Sequence, residues 1–276
     1  IGKNKKEFQK VYDYYDSPED SLKLRAAKYL IDNIHDHYFY VLKNEEKVDN
    51  FFGSISDRIS IPLDSSSSRM YSRLRRAKVD ELITKGLEDG SLSVPEYEVK
   101  TDLKNISAEF LIENIEYAFK AWKLPWSKNY SFKDFCRYIL PYRYGQEPPS
   151  SWRKPIFEKY KWIADSLKNA TAIEAAALLN KQFQLEFDNS KVLEKERIRL
   201  KVTNQLDVCA FTDCFDQTGL GVCVLRALGI PSAVAKIPKW GNRNNGHEMT
   251  GIMDIQGDWN IFNLTSGSRG PDVPHR

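Results

Sequence analysis

CFDQTGLGVCVLRALGIP, residues 214–231, is the stretch whose reading decides the fold. It predicts a helix from about Asp216 to Leu228. Gly229 sits where a C-terminal cap glycine belongs, and Pro231 blocks any extension. Cys214 stands at the start of this helix, behind Thr212 and Asp213. The thiolate is the nucleophilic form of cysteine. The unpaired N–H groups of a helix N-terminus lower a thiol pKa, and the same groups can hold an oxyanion during acyl transfer. Gly219 and Gly221 lie inside the helix, where each glycine costs about 1 kcal/mol relative to alanine. Close packing against a neighbouring sheet is a reason to tolerate that cost. The competing reading of Cys214 is a buried cysteine with no chemistry, because cysteine is among the most buried residue types. Cys223, between Val222 and Val224, fits that reading better, and Cys136 also falls in a helix. Cys209 reads either way, as a resolving or a partner thiol.

Downstream the periodicity changes from helical to alternating. Ser232–Pro238 and Glu248–Ile255 read as strands, Gly257 and Asp258 as a turn, and Trp259–Leu264 as the partner strand. His247 follows Gly246 at the entrance to the second strand, the one histidine of four in the same segment as Cys214. An imidazole beside a thiol takes its proton and later protonates the leaving group. Asn263 lies on the partner strand, where an amide or carboxylate can orient that imidazole. Asp213, Trp240 and Met249 are candidate substrate contacts. Trp240 sits in the polar run PKWGNRNN, residues 238–245, where it either stacks on a substrate or packs on the core.

These motifs resemble the transglutaminase-like superfamily, a papain-like cysteine-nucleophile core. Its members show a cysteine at a helix start, about a dozen helical residues, and a run like LRALGIP, here Leu225–Pro231. His247, Trp259 and Asn263 resemble its histidine and acid strands, with His247 preceding Asn263 by sixteen positions. The resemblance covers Ala170–Thr265 best. The runs WKLPW, FCRYILPYRYGQE and SWR within Phe110–Arg153 are similar to the helical region before this core in exported bacterial members, often lipoproteins. The chain departs from the pattern twice: Asn263 replaces an aspartate, and Glu248-Met249 replaces a small residue and tryptophan after the histidine. The resemblance implies an α+β fold, an antiparallel sheet packed on the nucleophile helix, and a Cys214–His247–Asn263 triad needing no cofactor or metal. It implies amide acyl transfer, most simply hydrolysis as in a protease or amidase, with transamidation as the other outcome. It also implies export to the periplasm or cell surface, and further strands beyond residue 276. The alternative from another class is a module that has lost catalysis and binds a peptide or glycan. An N-glycan amidase rests on fold analogy alone.

The upstream sequence is largely helical. Apolar residues recur at helical spacing in Ser21–Ile34, Met70–Leu87 and Ile106–Trp122, the last with Ser107 as N-cap. Ser131–Leu140, Trp152–Leu167 and Thr171–Phe183 follow, the last opening with the capping-box pattern TAIE. Asp57–Ser68 and Phe187–Leu193 read as loops, and Ile198, Leu200 and Val202 alternate as in a strand. The expected division is a helical region over 1–125 and the core over 126–276. The net charge of +3 on 276 residues argues against nucleic acid as a partner, and Arg69–Lys78 reads as a solvated helix face rather than a phosphate site. No apolar run of about 18 residues predicts a membrane span. The four cysteines include no C-x-x-C pair, so no structural zinc site is expected. The chain begins IGKN with no apolar leader, as in a mature or trimmed protein.

Overall fold

A computed structural model describes residues 4–56, 59, 68–92, 96–196, 198, 200–239 and 246–262. The N-terminal half runs α1 (Lys5–Tyr14), α2 (Ser21–Asp32), β1 (Tyr38–Leu42), α3 (Glu45–Ser56), α4 (Ser68–Glu88), β2 (Tyr97–Thr101), α5 (Asp102–Asn105) and α6 (Ala108–Trp122). Then come α7 (Phe132–Asp134), α8 (Arg153–Tyr160), α9 (Trp162–Ser166), α10 (Ala172–Glu186), β3 (Asp188–Asn189), α11 (Lys191–Glu196), α12 (Val202–Val208) and β4 (Ala210–Phe211). The chain closes with α13 (Cys214–Ala227), β5 (Ser232–Ile237), β6 (His247–Met253) and β7 (Trp259–Phe262). The architecture is a mixture of helices and small sheets, compatible with the expected α+β class. β5, β6 and β7 form an antiparallel sheet with β6 in the middle. β1 and β2 form an antiparallel ribbon, and β3 and β4 pair in parallel over two residues each.

The helix α13 is the hub. Almost every residue from Thr218 to Ala227 is buried, so the helix is apolar on all sides and surrounded. Its end is a Schellman motif: Ile230 N donates to Leu225 O and Gly229 N to Arg226 O, with Gly229 at φ 69°. A side chain at Gly229 would collide with the Ala121 carbonyl. The end of the WKLPW run and the serine after it supply the caps, with Trp126 Nε1 donating to Leu228 O and Ser127 Oγ to Gly229 O, both at 2.7 Å. Buried Arg226 and Arg153 donate to backbone carbonyls around Ser232, Pro141 and Ile139, which fastens the loop after α7 onto α13.

The large apolar cluster runs from Phe8 to Phe262, and a second gathers α3 and α4 with Leu193, Ile198, Leu200 and Val208. Both take residues from either side of position 125. Several expectations differ in detail. Ile198 and Leu200 are buried in the second cluster without a strand ladder, and Val202 opens α12. Their alternation satisfies burial against helices rather than against a neighbouring strand. The segment Phe187–Leu193 is β3 and the start of α11, not a loop. Its polar residues act as caps: Ser190 Oγ accepts from Leu193 N and donates to Asp80 at 2.6 Å. Phe135–Ile139 is π-helical, with Leu140 N donating to Phe135 O, and buries Phe135, Cys136 and Ile139. The expected helix over Trp152–Leu167 is interrupted at Lys161 between α8 and α9. Of the expected loop Asp57–Ser68, only Ile59 and Ser68 lie within the described residues.

Candidate active site

Asp213 is the N-cap of α13, and its carboxylate accepts from Phe215 N at 3.0 Å and Asp216 N at 3.1 Å. Gln217 N donates to the Asp213 carbonyl. The cap residue therefore occupies the N–H groups of the first turn beyond Cys214 itself. Asp213 was expected as a substrate contact; here it acts on the helix end. It also places an anion next to the thiol.

Cys214 is half-buried, with β6 packed against its helix. The backbone N–H of Glu248 favours the thiolate, as does the N–H of Cys214. On the same strand the Glu248 carbonyl accepts from Thr218 Oγ1 at 3.1 Å. Glu248 is thus the residue at which β6 docks on the first turns of α13. The described β6–β7 ladder begins two residues later, at Thr250. Net, the Cys214 thiol is pushed up from its ordinary value. Burial is the main cause, and the Asp213 and Glu248 carboxylates add to it against the two N–H groups. The helix N-terminus was expected to lower this pKa. The anionic cap and burial outweigh it, because the dipole's free N–H groups have largely been taken by Asp213.

His247 is the first residue of β6, opposite Ile237 of β5, and is half-buried. It is the chain neighbour of the residue at which β6 docks on α13. The fold thus brings the His247 and Cys214 elements together from thirty-three positions apart. Met249 lies opposite Ala235, also half-buried. Asn263 and Trp240 lie outside the described residues. The other cysteines are shifted up as well. Burial pushes Cys136 to about 12, Cys223 far above its ordinary value, and Cys209 upward. All four are free thiols.

Two groups at this end of α13 were not anticipated. The Glu248 amide is one, and a backbone role leaves no mark on residue identity. Gln217 is the other. It follows Cys214 by three residues, which puts the two side chains on one helix face, and its Nε2 is buried without a hydrogen-bond partner. A buried donor that nothing satisfies costs about 1–3 kcal/mol, which makes this amide a candidate donor one turn from Cys214. Spacing alone could have flagged it.

Behind this first turn, Tyr144 packs flat into the gap left by Gly219, where an added methyl would fall inside its ring. The glycine was expected to admit a sheet; it admits a loop tyrosine. Gly145 makes room for Phe215 in the same way, and the Tyr144 and Phe215 rings lie 5.3 Å apart. Among the described residues, no group of three or more histidines, cysteines and carboxylates is arranged to hold a metal. No described helix is long and apolar enough to cross a membrane. No family model, no curated protein and no solved structure matches the chain.

Proposed function

We propose that the chain is a cysteine-dependent acyl-transfer enzyme of transglutaminase-like fold, acting on an amide of a peptide or protein. The observation that carries the reading is the docking of the Cys214 end of α13 on β6 at Glu248, the residue after His247. The Cys214 sulfur attacks the amide carbonyl carbon while His247 takes the thiol proton. The carbonyl oxygen becomes an oxyanion held by the Cys214 N–H, with Gln217 Nε2 as a second donor. Collapse breaks the C–N bond, and His247 gives its proton to the departing amine. Water then attacks the thioester through the same imidazole, releasing the acid and restoring the thiol. Asn263 orients the imidazole in this scheme. Because burial and Asp213 raise the thiol pKa, proton removal belongs to the attack itself, not to a resting thiolate.

The raised thiol pKa and the anionic cap also favour a second reading, a binding module that uses the surface around Cys214 and His247 without chemistry. Incubation with a p-nitrophenyl acyl ester separates the two. The enzyme releases nitrophenol with a burst, and mass mapping finds the acyl group on Cys214; Cys214→Ala abolishes both. Acylation absent, or spread over surface lysines, supports the module and overturns the enzyme.

A further inference from the structure

A cavity of about 250 Å³ opens on the other flank of the α13 N-terminus, lined by Phe215 and Asp216 but by neither Cys214 nor His247. Its wall carries four aromatic rings, from Tyr40, Tyr97, Tyr144 and Phe215. It also carries four carboxylates, Glu45, Asp49, Glu147 and Asp216, of which the last two are more than nine-tenths buried. Among the described lining residues one ammonium answers them: Lys201 Nζ bridges Glu45 at 2.6 Å and Asp49 at 2.7 Å. Carboxylates outnumber cations among these residues even though the chain as a whole is positive by +3.

The hydrogen-bond accounting points the same way. Asp49 Oδ1 is buried without a partner while its other oxygen holds Lys201. Asp49 belongs to the cavity wall. A buried carboxylate oxygen left over there calls for a ligand that donates. Aromatic faces beside it favour a cation over a neutral donor. Tyr40 and Tyr97 are partly exposed on the β1–β2 ribbon, which gives the cavity an open, apolar mouth.

We infer that this cavity binds an organic cation, an alkylammonium or alkylguanidinium whose head meets Asp49 and whose stem lies against the tyrosines. The inference stands independently of any chemistry at Cys214. Titration calorimetry of the whole chain with n-pentylammonium, and with 1-pentanol as the neutral counterpart, tests it. The cation is expected to bind at least about tenfold more tightly, the scale of one charge-assisted hydrogen bond. Asp49→Asn and, separately, Tyr97→Ala should each weaken it several-fold with unchanged circular dichroism, and Cys214→Ala should leave it unchanged. N-acetyl-lysine methylamide set against its norleucine counterpart distinguishes a side chain on a peptide from a free amine. Equal affinity for the cation and the alcohol, or full affinity in both wall variants, overturns the inference.

Discussion

Glu147 sits at the base of the Tyr144 loop, 7% exposed, with its carboxylate accepting from Tyr144 N and Gly145 N at 2.8 Å. Burial pushes its pKa from 4.5 to about 7, against the pull of Arg143 and the loop N–H groups. Tyr142, Tyr144, Cys223 and Arg226 are its other ionisable neighbours. A folded pKa above the unfolded one means that the native state holds the proton more tightly. The associated stability is complete below pH 4.5 and is lost as pH rises to about 7. That span corresponds to about 3 kcal/mol. Glu147→Gln removes the titration. Its amide also turns a donor toward a backbone N–H, but that penalty is the same at every pH and cancels in the comparison. Urea unfolding at pH 4 and pH 8 should therefore show the variant gaining about 3 kcal/mol on the wild type between the two. A gap that stays constant within about 0.5 kcal/mol would refute the argument that burial dominates this carboxylate.

Gly219→Ala forces a methyl into the Tyr144 ring; thermal melts should show a loss of about 1–3 kcal/mol, despite alanine's better helix propensity. Asp213→Ala removes the cap and should cost about 1 kcal/mol. It also frees two N–H groups and deletes an anion, so the pH midpoint of Cys214 alkylation should fall. A rising or unchanged midpoint contradicts the explanation given for the raised thiol. Trp126→Phe leaves the Leu228 carbonyl without its donor and should cost about 1–3 kcal/mol in denaturant unfolding.

Much of the helical scaffold was legible because local chemistry fixes it. Ser107 caps α6 through Phe110 N, and Thr171 and Glu174 complete the capping box of α10. The α13 end was readable from Gly229 and Pro231, since only glycine accepts that backbone without strain. β1, β2 and α3 were not anticipated. The two strands are short, and the exposed face Tyr38, Tyr40, Tyr97 and Val99 blurs the expected alternation. The strand expected through Ile198–Val202 failed because period-two burial needs only an apolar floor, not a ladder. At the site, identity and spacing pointed to Cys214 and His247. They could not reveal that Asp213 would consume the helix-end N–H groups, or that Glu248 would dock β6 on α13 through its carbonyl. Both are geometric outcomes of α13 docking on β6.

The central claim is that His247 works on Cys214. Its most direct test is the rate of iodoacetamide alkylation at Cys214, followed by peptide mapping at pH 7, in wild type and His247→Ala, with buried Cys223 as the internal reference. The account predicts that the rate at Cys214 falls at least about tenfold in the variant while Cys223 stays unreactive in both. An unchanged rate at Cys214 would contradict it.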